Sequence, residues 1–548
     1  MGALVSSVPW LLALPLLAAV LGPMGRAGPW ASLASMILGF GLGLWILDSD
    51  PSQLRVVVLI GVAALGQLHA LSSRAAEPLG RCFGLLGLST VAAGLVLGSE
   101  RPVALLVGWQ GLTVCGYLAV GFWGTDPSKV ERALEGLGAG LLGEAALAIG
   151  VCSLALGADQ PPVAWTSGAL LFAALVRAGQ LPVTSRLADA LSAPAPLAAL
   201  TFGLGSSWTA LHLADRALSS LSGPGAELAG AVVAAVGAAS ALYGAAVAAF
   251  EVEVGRWMAH LLIARLGLAF VLLGTGHLDE ASEMGWSLGL GSAAVIACGG
   301  ALVRALHGEH DLRWMGGLFG RQPYLIPIMG AALAAWLDVL PGPGSAASAF
   351  ARLGAEAPAW GVGVAVVLGL AGFAGGRGFG LAFAGTPRWR SDRPLHDAMT
   401  GALLPAAGLT GAAWWGLSGV AGWDPIATPL GFWPHLFAAS GAAAGFLRFR
   451  RGVSEGRGGS GLRRALEWMR VAAPLEVWGR RVITGLARLL GQILSIVDPW
   501  ILDPLSSLPR GALEWLGRIL TPIPGRRPVR RLAVGVLSIV GALAWVLR

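Results

Sequence analysis

The sequence predicts an all-α polytopic membrane protein with about sixteen transmembrane helices, and three observations carry that expectation. Apolar residues make up 55% of the 548-residue chain and charged ones only 12%, too lopsided a ratio for one water-soluble core. The apolar residues fall into separate runs close to the roughly 20 residues that a helix needs to cross the hydrocarbon. Between the runs lie short loops whose charge alternates, basic after one run and acidic after the next.

In chain order the runs lie near 4–22, 29–47, 54–72, 80–98, 102–123, 133–156, 164–181, 194–215, 226–250, 257–275, 285–306, 322–340, 357–384, 398–420, 430–447 and 531–547. No basic stretch precedes the first run and no early small-residue cleavage site follows it, so it is expected to remain as a helix. Loops after odd-numbered runs carry Arg26, Arg74, Arg81, Lys129, Arg132, Arg186, Arg256, Arg313, Arg321, Arg388 and Arg448. Loops after even-numbered runs carry Asp48, Asp50, Asp159, Asp279, Glu280, Glu283 and Asp424. The positive-inside rule then makes the first set cytoplasmic and puts both termini outside.

Two runs are interrupted. Gly179 and Pro182 fall at the end of the seventh, and Pro341, Gly342, Pro343 and Gly344 at the end of the twelfth. A break inside a bilayer exposes backbone groups that only protein or water can satisfy, so it is a natural place for polar chemistry, although ordinary helix ends read the same way. Beyond 447 the pattern changes: "RFRRGVSEGRGGSG" reads as a basic linker and "VWGRRVITGLARLLGQILSIV" as an amphipathic helix. Val482, Leu486, Leu489, Leu490, Ile493 and Val497 recur at three-to-four spacing, with Arg480, Arg481 and Arg488 on other faces, so this helix should lie along the membrane surface, on headgroups or against partner subunits.

Cys82, Cys115, Cys152 and Cys298 are scattered through apolar runs with no paired spacing, which predicts neither a zinc site nor a disulfide framework. The net charge of +7 comes with no basic stripe interleaved with aromatics, so nucleic acid is not an expected partner. The 82 glycines suit helices that approach closely, and tryptophans near run ends, such as Trp10, Trp30, Trp123 and Trp500, suit anchoring at the lipid–water interface.

Two stretches carry a family resemblance. "GWQGLTVCGYLAVGFWGTDP" at 108–127, with "LLGEAALA" at 141–148 in the same register, resembles the Gly-Trp-Glu-Gly, Tyr-Leu, Gly-Phe, Thr-Asp-Pro segment of the antiporter-like subunits of respiratory complex I, above all subunit L. "AGQLPVTSRLADALSAPAPLAAL" at 178–200 is similar to that family's Ala-Gln-Leu-Pro, Leu-Ala-Asp-Ala and Pro-x-Pro run. "EVEVGRWMAHLLIARLGLAFVLLG" at 251–274 and "LRWMGGL" at 312–318 extend the likeness. The resemblance implies two inverted five-helix repeats, broken helices, a C-terminal lateral amphipathic helix and a multi-pass place in a bacterial inner membrane beside other membrane-arm subunits. It implies no cofactor on this chain. It divides the chain into first helices (1–100), an antiporter-like core (101–384), further helices (385–447), linker and lateral helix (448–530) and a last helix (531–548).

The resemblance also implies proton relay through a glutamate, lysines and histidines, and here the chain departs from its relatives. A carrier in lipid needs charged and neutral forms of similar energy. The motif glutamate is Gln110, which does not titrate, and the lysine before Gln-Leu-Pro is Arg177, a guanidinium that keeps its charge. The expected histidine after Pro-x-Pro falls on Phe202; in the eleventh run histidine and lysine fall on Leu288 and Ser292, and the lysine after the second break falls near Phe350. Lys129, the chain's single lysine against 36 arginines, sits in a loop. The candidate ion-path residues are therefore Gln110, Glu144, Arg177, Asp189, Glu253, His260 and Arg265. Gln110 is expected to hold a structural hydrogen bond, Glu144 to pair with Arg177, Asp189 with Arg186, His260 to be a hydrogen-bonded packing residue or, with Arg265, to line a hydrated path, and His212 and Asp338 to reach the headgroups. The expected function is a membrane-arm subunit of an NADH:quinone oxidoreductase or related complex with a degenerate ion path and a largely structural role, itself without catalysis. The alternatives are a working cation/proton antiporter subunit of a multisubunit antiporter or membrane-bound hydrogenase, or the membrane half of an inorganic-carbon transporter.

Overall fold

A computed structural model describes residues 8–24, 26–71, 79–122, 127–155, 163–339, 347–389 and 433–451, with 408, 481 and 485 as isolated positions. The described residues form helices joined by short loops: α1 (Val8–Leu21), α2 (Gly28–Leu47), α3 (Leu54–Leu71), α4 (Leu79–Gly98), α5 (Pro102–Val120), α6 (Pro127–Ala155) and α7 (Val163–Arg177). They continue as α8 (Ser185–Ala188), α9 (Ala195–Leu197), α10 (Ser207–Ser219), α11 (Pro224–Ala248), α12 (Val254–Gly274), α13 (Leu278–Ala305), α14 (Leu325–Trp336), α15 (Ala347–Glu356), α16 (Pro358–Phe383) and α17 (Trp433–Phe449). Nine of them are long and apolar enough to cross a membrane. Proline in the first turn of α2, α5, α11 and α16 sets where each begins, because the helix start has no use for the missing N–H.

The multi-pass architecture follows the apolar runs, and the two runs predicted to break give the short helices α7 and α14. The runs at 398–420 and 531–547, the linker and the lateral amphipathic helix lie outside the described residues. The run at 194–215 holds a surprise: Ala198–Ser206, between α9 and α10, is a nine-residue π-helix. Such widened turns release carbonyls from the regular ladder and often mark functional positions.

Lipid offers no hydrophobic drive for helix association, so close packing must hold the bundle together. Two helix pairs show how glycine does it. Gly230 and Gly237 of α11 face Gly274 and Gly267 of α12 so closely that a Cβ at either would lie 2.6 Å from the opposite carbonyl oxygen. Gly372 and Gly376 of α16 meet α17 more tightly still, a Cβ at Gly376 falling 1.9 Å from the Ala442 carbonyl oxygen. Helix α12 is the axis of the molecule, buried along nearly its whole length, with Trp257 donating from Nε1 to the Ala374 carbonyl of α16 at 3.0 Å.

Candidate functional site

Buried charged side chains lie at the two breaks, Arg177, Arg186 and Asp189 at the first and Asp338 at the second. At the first, α7 ends at Arg177 and the chain passes through Gly179, whose φ of +62° suits a residue without Cβ, before α8 begins. Helix ends leave carbonyls without partners. Arg186 supplies one, donating from Nη1 to the Arg177 carbonyl at 2.8 Å, and Ser240 of α11 takes the Leu181 N–H at 2.9 Å. A guanidinium at a helix C-terminus also meets the negative end of the dipole. Arg186 is thus a cap, and its expected partner Asp189 pairs instead with Arg256 at 2.8 Å, which in turn reaches Glu251 at 3.3 Å. The local salt bridge is corrected to a longer-range one because the turn of α8 aims Arg186 back along α7.

Arg177, fully buried, lies over the Trp109 ring with its guanidinium carbon 4.1 Å from the centroid. Its Nη2 donates to the Trp109 carbonyl at 2.6 Å and to the Thr113 hydroxyl at 3.2 Å. Glu144 of α6 is buried on the other side of Thr113, and among the described residues no ion pair joins it to Arg177. The expected pair is therefore replaced by a ring face, a carbonyl and a hydroxyl. Glu144 Oε1, Arg177 Nε and Arg177 Nη1 are buried without a protein hydrogen-bond partner. Gln110 contradicts its expected role: α5 turns it outward, so it is exposed, while the neighbouring Trp109 faces the core.

The second break carries a charge pair that the sequence reading missed. Arg265 of α12 forms a buried salt bridge with Asp338, two residues past the end of α14. Asp338 was expected at the headgroups; it is 1% exposed, at a φ of +53°, and its carbonyl accepts from His435 Nδ1 of α17 at 2.7 Å. An aspartate next to a helix break, opposite a mid-span arginine, was the available signal. His260 is a buried packing residue, its Nδ1 donating within α12 to the Arg256 carbonyl at 2.8 Å. His212, half-buried in α10, lines a small recess with Arg55, Asp215 and Ser282.

Positions where the relatives' relay residues would fall are committed elsewhere. Ser292 of α13 donates to the Gly203 carbonyl at 2.8 Å, within the π-helix, and to Gly289 at 2.9 Å. Phe202, Leu288 and Phe350 are buried apolar side chains. Glu253 lies away from both breaks, lining a cavity of about 580 Å³ with Lys129, Arg132, Arg304 and His310, so Lys129 is a wall residue and not only a loop one.

Residues 99–370 match the family model described as NADH:quinone oxidoreductase/Mrp antiporter, transmembrane. The chain is similar to NADH-quinone oxidoreductase subunit L of Mycobacterium tuberculosis (strain CDC 1551 / Oshkosh), 28% identical over 57% of this chain and 51% of that one. It is also similar to subunit L of Escherichia coli (strain K12), 25% identical over 57% of this chain and 53% of the relative. NADH-ubiquinone oxidoreductase chain 5 of Allomyces macrogynus is 24% identical over 51% of this chain and 46% of its own. The chain thus spans about half the length of these curated relatives. A solved structure titled as the Mrp complex from Dietzia sp. DQ12-45-1b shares the fold, with a TM-score of 0.63 at 18% identity, over 98% of this chain and 62% of that one. Motifs, fold and family match agree: the chain is an antiporter-like, multi-pass membrane protein, similar to subunit L, whose residues 99–370 match the NADH:quinone oxidoreductase/Mrp antiporter transmembrane family.

Proposed function

We propose that the chain serves as a membrane-arm subunit of an NADH:quinone oxidoreductase or a related multisubunit complex, with an ion path that no longer relays protons and a role in holding the arm together. One observation carries the reading: the arginines at the two breaks are tied to fixed partners. Arg177 rests on Trp109 and Thr113, Arg186 caps α7, and Arg265 is paired with Asp338. A relay needs groups that exchange protons between neighbours, and guanidinium, hydroxyl and phenyl side chains at those positions do not.

Gln110 supports a neighbouring subunit. An amide facing hydrocarbon without a partner costs on the order of 2–7 kcal/mol, whereas a second protein can satisfy it. Trp165, Trp45 and Leu228, among the most exposed side chains, mark surfaces suited to lipid or to further subunits. In the proposed orientation both termini lie outside a bacterial inner membrane.

Purification of the tagged chain from its native membrane tests the reading. Recovery within a large complex containing other membrane subunits is expected, and deletion of residues 470–525 should loosen it. Recovery of the chain alone at its native level, with the complex intact after its deletion, would contradict a structural role.

A second reading, a working cation/proton antiporter subunit, is favoured by the buried polar atoms without protein partners at Glu144, Arg177 and Arg265, where water would have to sit. It requires Glu144 to carry the proton.

A further inference from the structure

The cavity of about 580 Å³ is lined by none of the charged residues described at the two breaks. Its walls come from five places: the first turns of α6, the segment Leu191–Pro196, the start of α12, the end of α13 and the loop after it. Met258, Ile296, Val303, Gly299 and Gly300 make an apolar and small-residue interior. Around them stand Lys129, Arg132 and Arg304, three permanent cations, with His310 and one carboxylate, Glu253.

Two contacts build this arrangement into the fold. Arg304 reaches the buried His69 of α3, which holds its guanidinium from behind. The Val254 N–H donates to the His310 carbonyl at 2.9 Å and the Leu312 N–H to the Val252 carbonyl at 2.8 Å, a short backbone bridge that pins Glu253 and His310 to the same rim. Glu309, beside His310, is partly engaged, its Oε1 accepting the Asp311 N–H at 2.9 Å. All the charged wall residues belong to loops or helix ends on the face where the positive-inside rule places the cytoplasm.

We propose that this cavity binds a net-anionic phosphate group, carried on the head of an acidic phospholipid or free in solution. Guanidinium groups present paired donors that match phosphate oxygens, and lysine adds a point charge. Among the described residues lining the wall, permanent positive charge exceeds the one carboxylate, and the volume holds much more than a lone ion. The apolar interior suits the glycerol and first methylenes of a lipid lying below its headgroup. Cytoplasmic leaflets rich in anionic lipid supply such a ligand at high local concentration.

The test uses the purified chain, in whatever complex it is isolated with, delipidated and titrated by native mass spectrometry and thermal unfolding. Three probes are compared: phosphatidylglycerol, phosphatidylcholine and inorganic phosphate. Phosphatidylglycerol is expected to bind and raise the melting temperature, phosphatidylcholine to bind at least tenfold more weakly, and Lys129→Gln/Arg132→Gln to lose at least tenfold in phosphatidylglycerol affinity. The distant Arg448→Gln/Arg450→Gln variant should bind as the parent does. Competition by millimolar phosphate would show that the free ion also enters; lack of competition would show that the lipid head is required, and either supports the site. Glu253→Gln removes the opposing carboxylate and should tighten binding, which keeps the proposal testable if the double variant does not fold. Equal affinity of all variants for phosphatidylglycerol would overturn it, as would crosslinking from Lys129→Cys that captures only a neighbouring subunit while no lipid binds.

Discussion

The two breaks bury the same kind of charge and neutralise it differently. At the first, Arg177 is held by an aromatic face, a carbonyl and a hydroxyl, while the nearest carboxylate, Glu144, stays outside any ion pair among the described residues. At the second, Arg265 has a carboxylate of its own in Asp338. Dispersed partners spread the cost of desolvating a guanidinium over several groups, so losing one leaves the others in place. A one-to-one pair concentrates that cost, and removing either member leaves a buried charge alone. Neither arrangement offers a titrating group next to another, so both end as anchors.

The contrast predicts an order of mutational damage. Asp338→Ala should be worst, about 3–5 kcal/mol of lost stability, since it strands Arg265. The double variant Arg265→Met/Asp338→Leu should recover most of that loss, and thermal unfolding in detergent measures both. If the double variant is as damaged as the single, the pair holds the break by something other than charge neutralisation. Arg177→Ala should cost about 2–3 kcal/mol from the ring and hydrogen-bond contacts, less than Asp338→Ala, and quenching of Trp109 fluorescence would report the exposed ring.

Gly376→Leu tests packing without touching charge. Its side chain would collide with the Ala442 carbonyl, so a loss of about 1–3 kcal/mol, or separation of α16 from α17, is expected from proteolysis and unfolding. Glu144→Gln should change stability by less than about 1 kcal/mol, because no ion pair depends on it.

The smallest expected effect is a pH dependence at His310, in the loop after α13. Burial holds its imidazole below the usual range; Lys129 and Arg132 push the same way, against Glu253 and Glu309. Protons therefore bind the unfolded chain more readily, so this contribution is present above pH about 6.5 and is lost as pH falls below it toward the depressed folded value. His310→Gln should flatten that slope in unfolding measured from pH 5 to 8.

Much of the fold was legible in the sequence, because spans are written as uninterrupted apolar runs and breaks as Gly and Pro. The first break was readable for that reason at Gly179 and Pro182. The site was harder. Replacements such as Arg177 and Ser292 could be seen, but not what they would hold, since Trp109 and Gly203 approach them only through the tertiary fold. Asp338 read as a headgroup residue because it ends an apolar run; only the packing of α12 against the break brings Arg265 to it. Gln110 read as holding a structural hydrogen bond because it replaces the motif's titrating glutamate, yet a step of about 100° per residue leaves it exposed beside the buried Trp109. The π-helix left no sequence signal, since its apolar composition is that of any span.

Proton flux is the most direct measure of the central claim, that the arginines at both breaks are fixed anchors and no relay runs past them. The purified chain in liposomes with an imposed pH gradient should collapse that gradient no faster than protein-free vesicles, and Glu144→Gln should change nothing. Flux well above that background, abolished by Glu144→Gln, would make Glu144 a carrier and contradict the account.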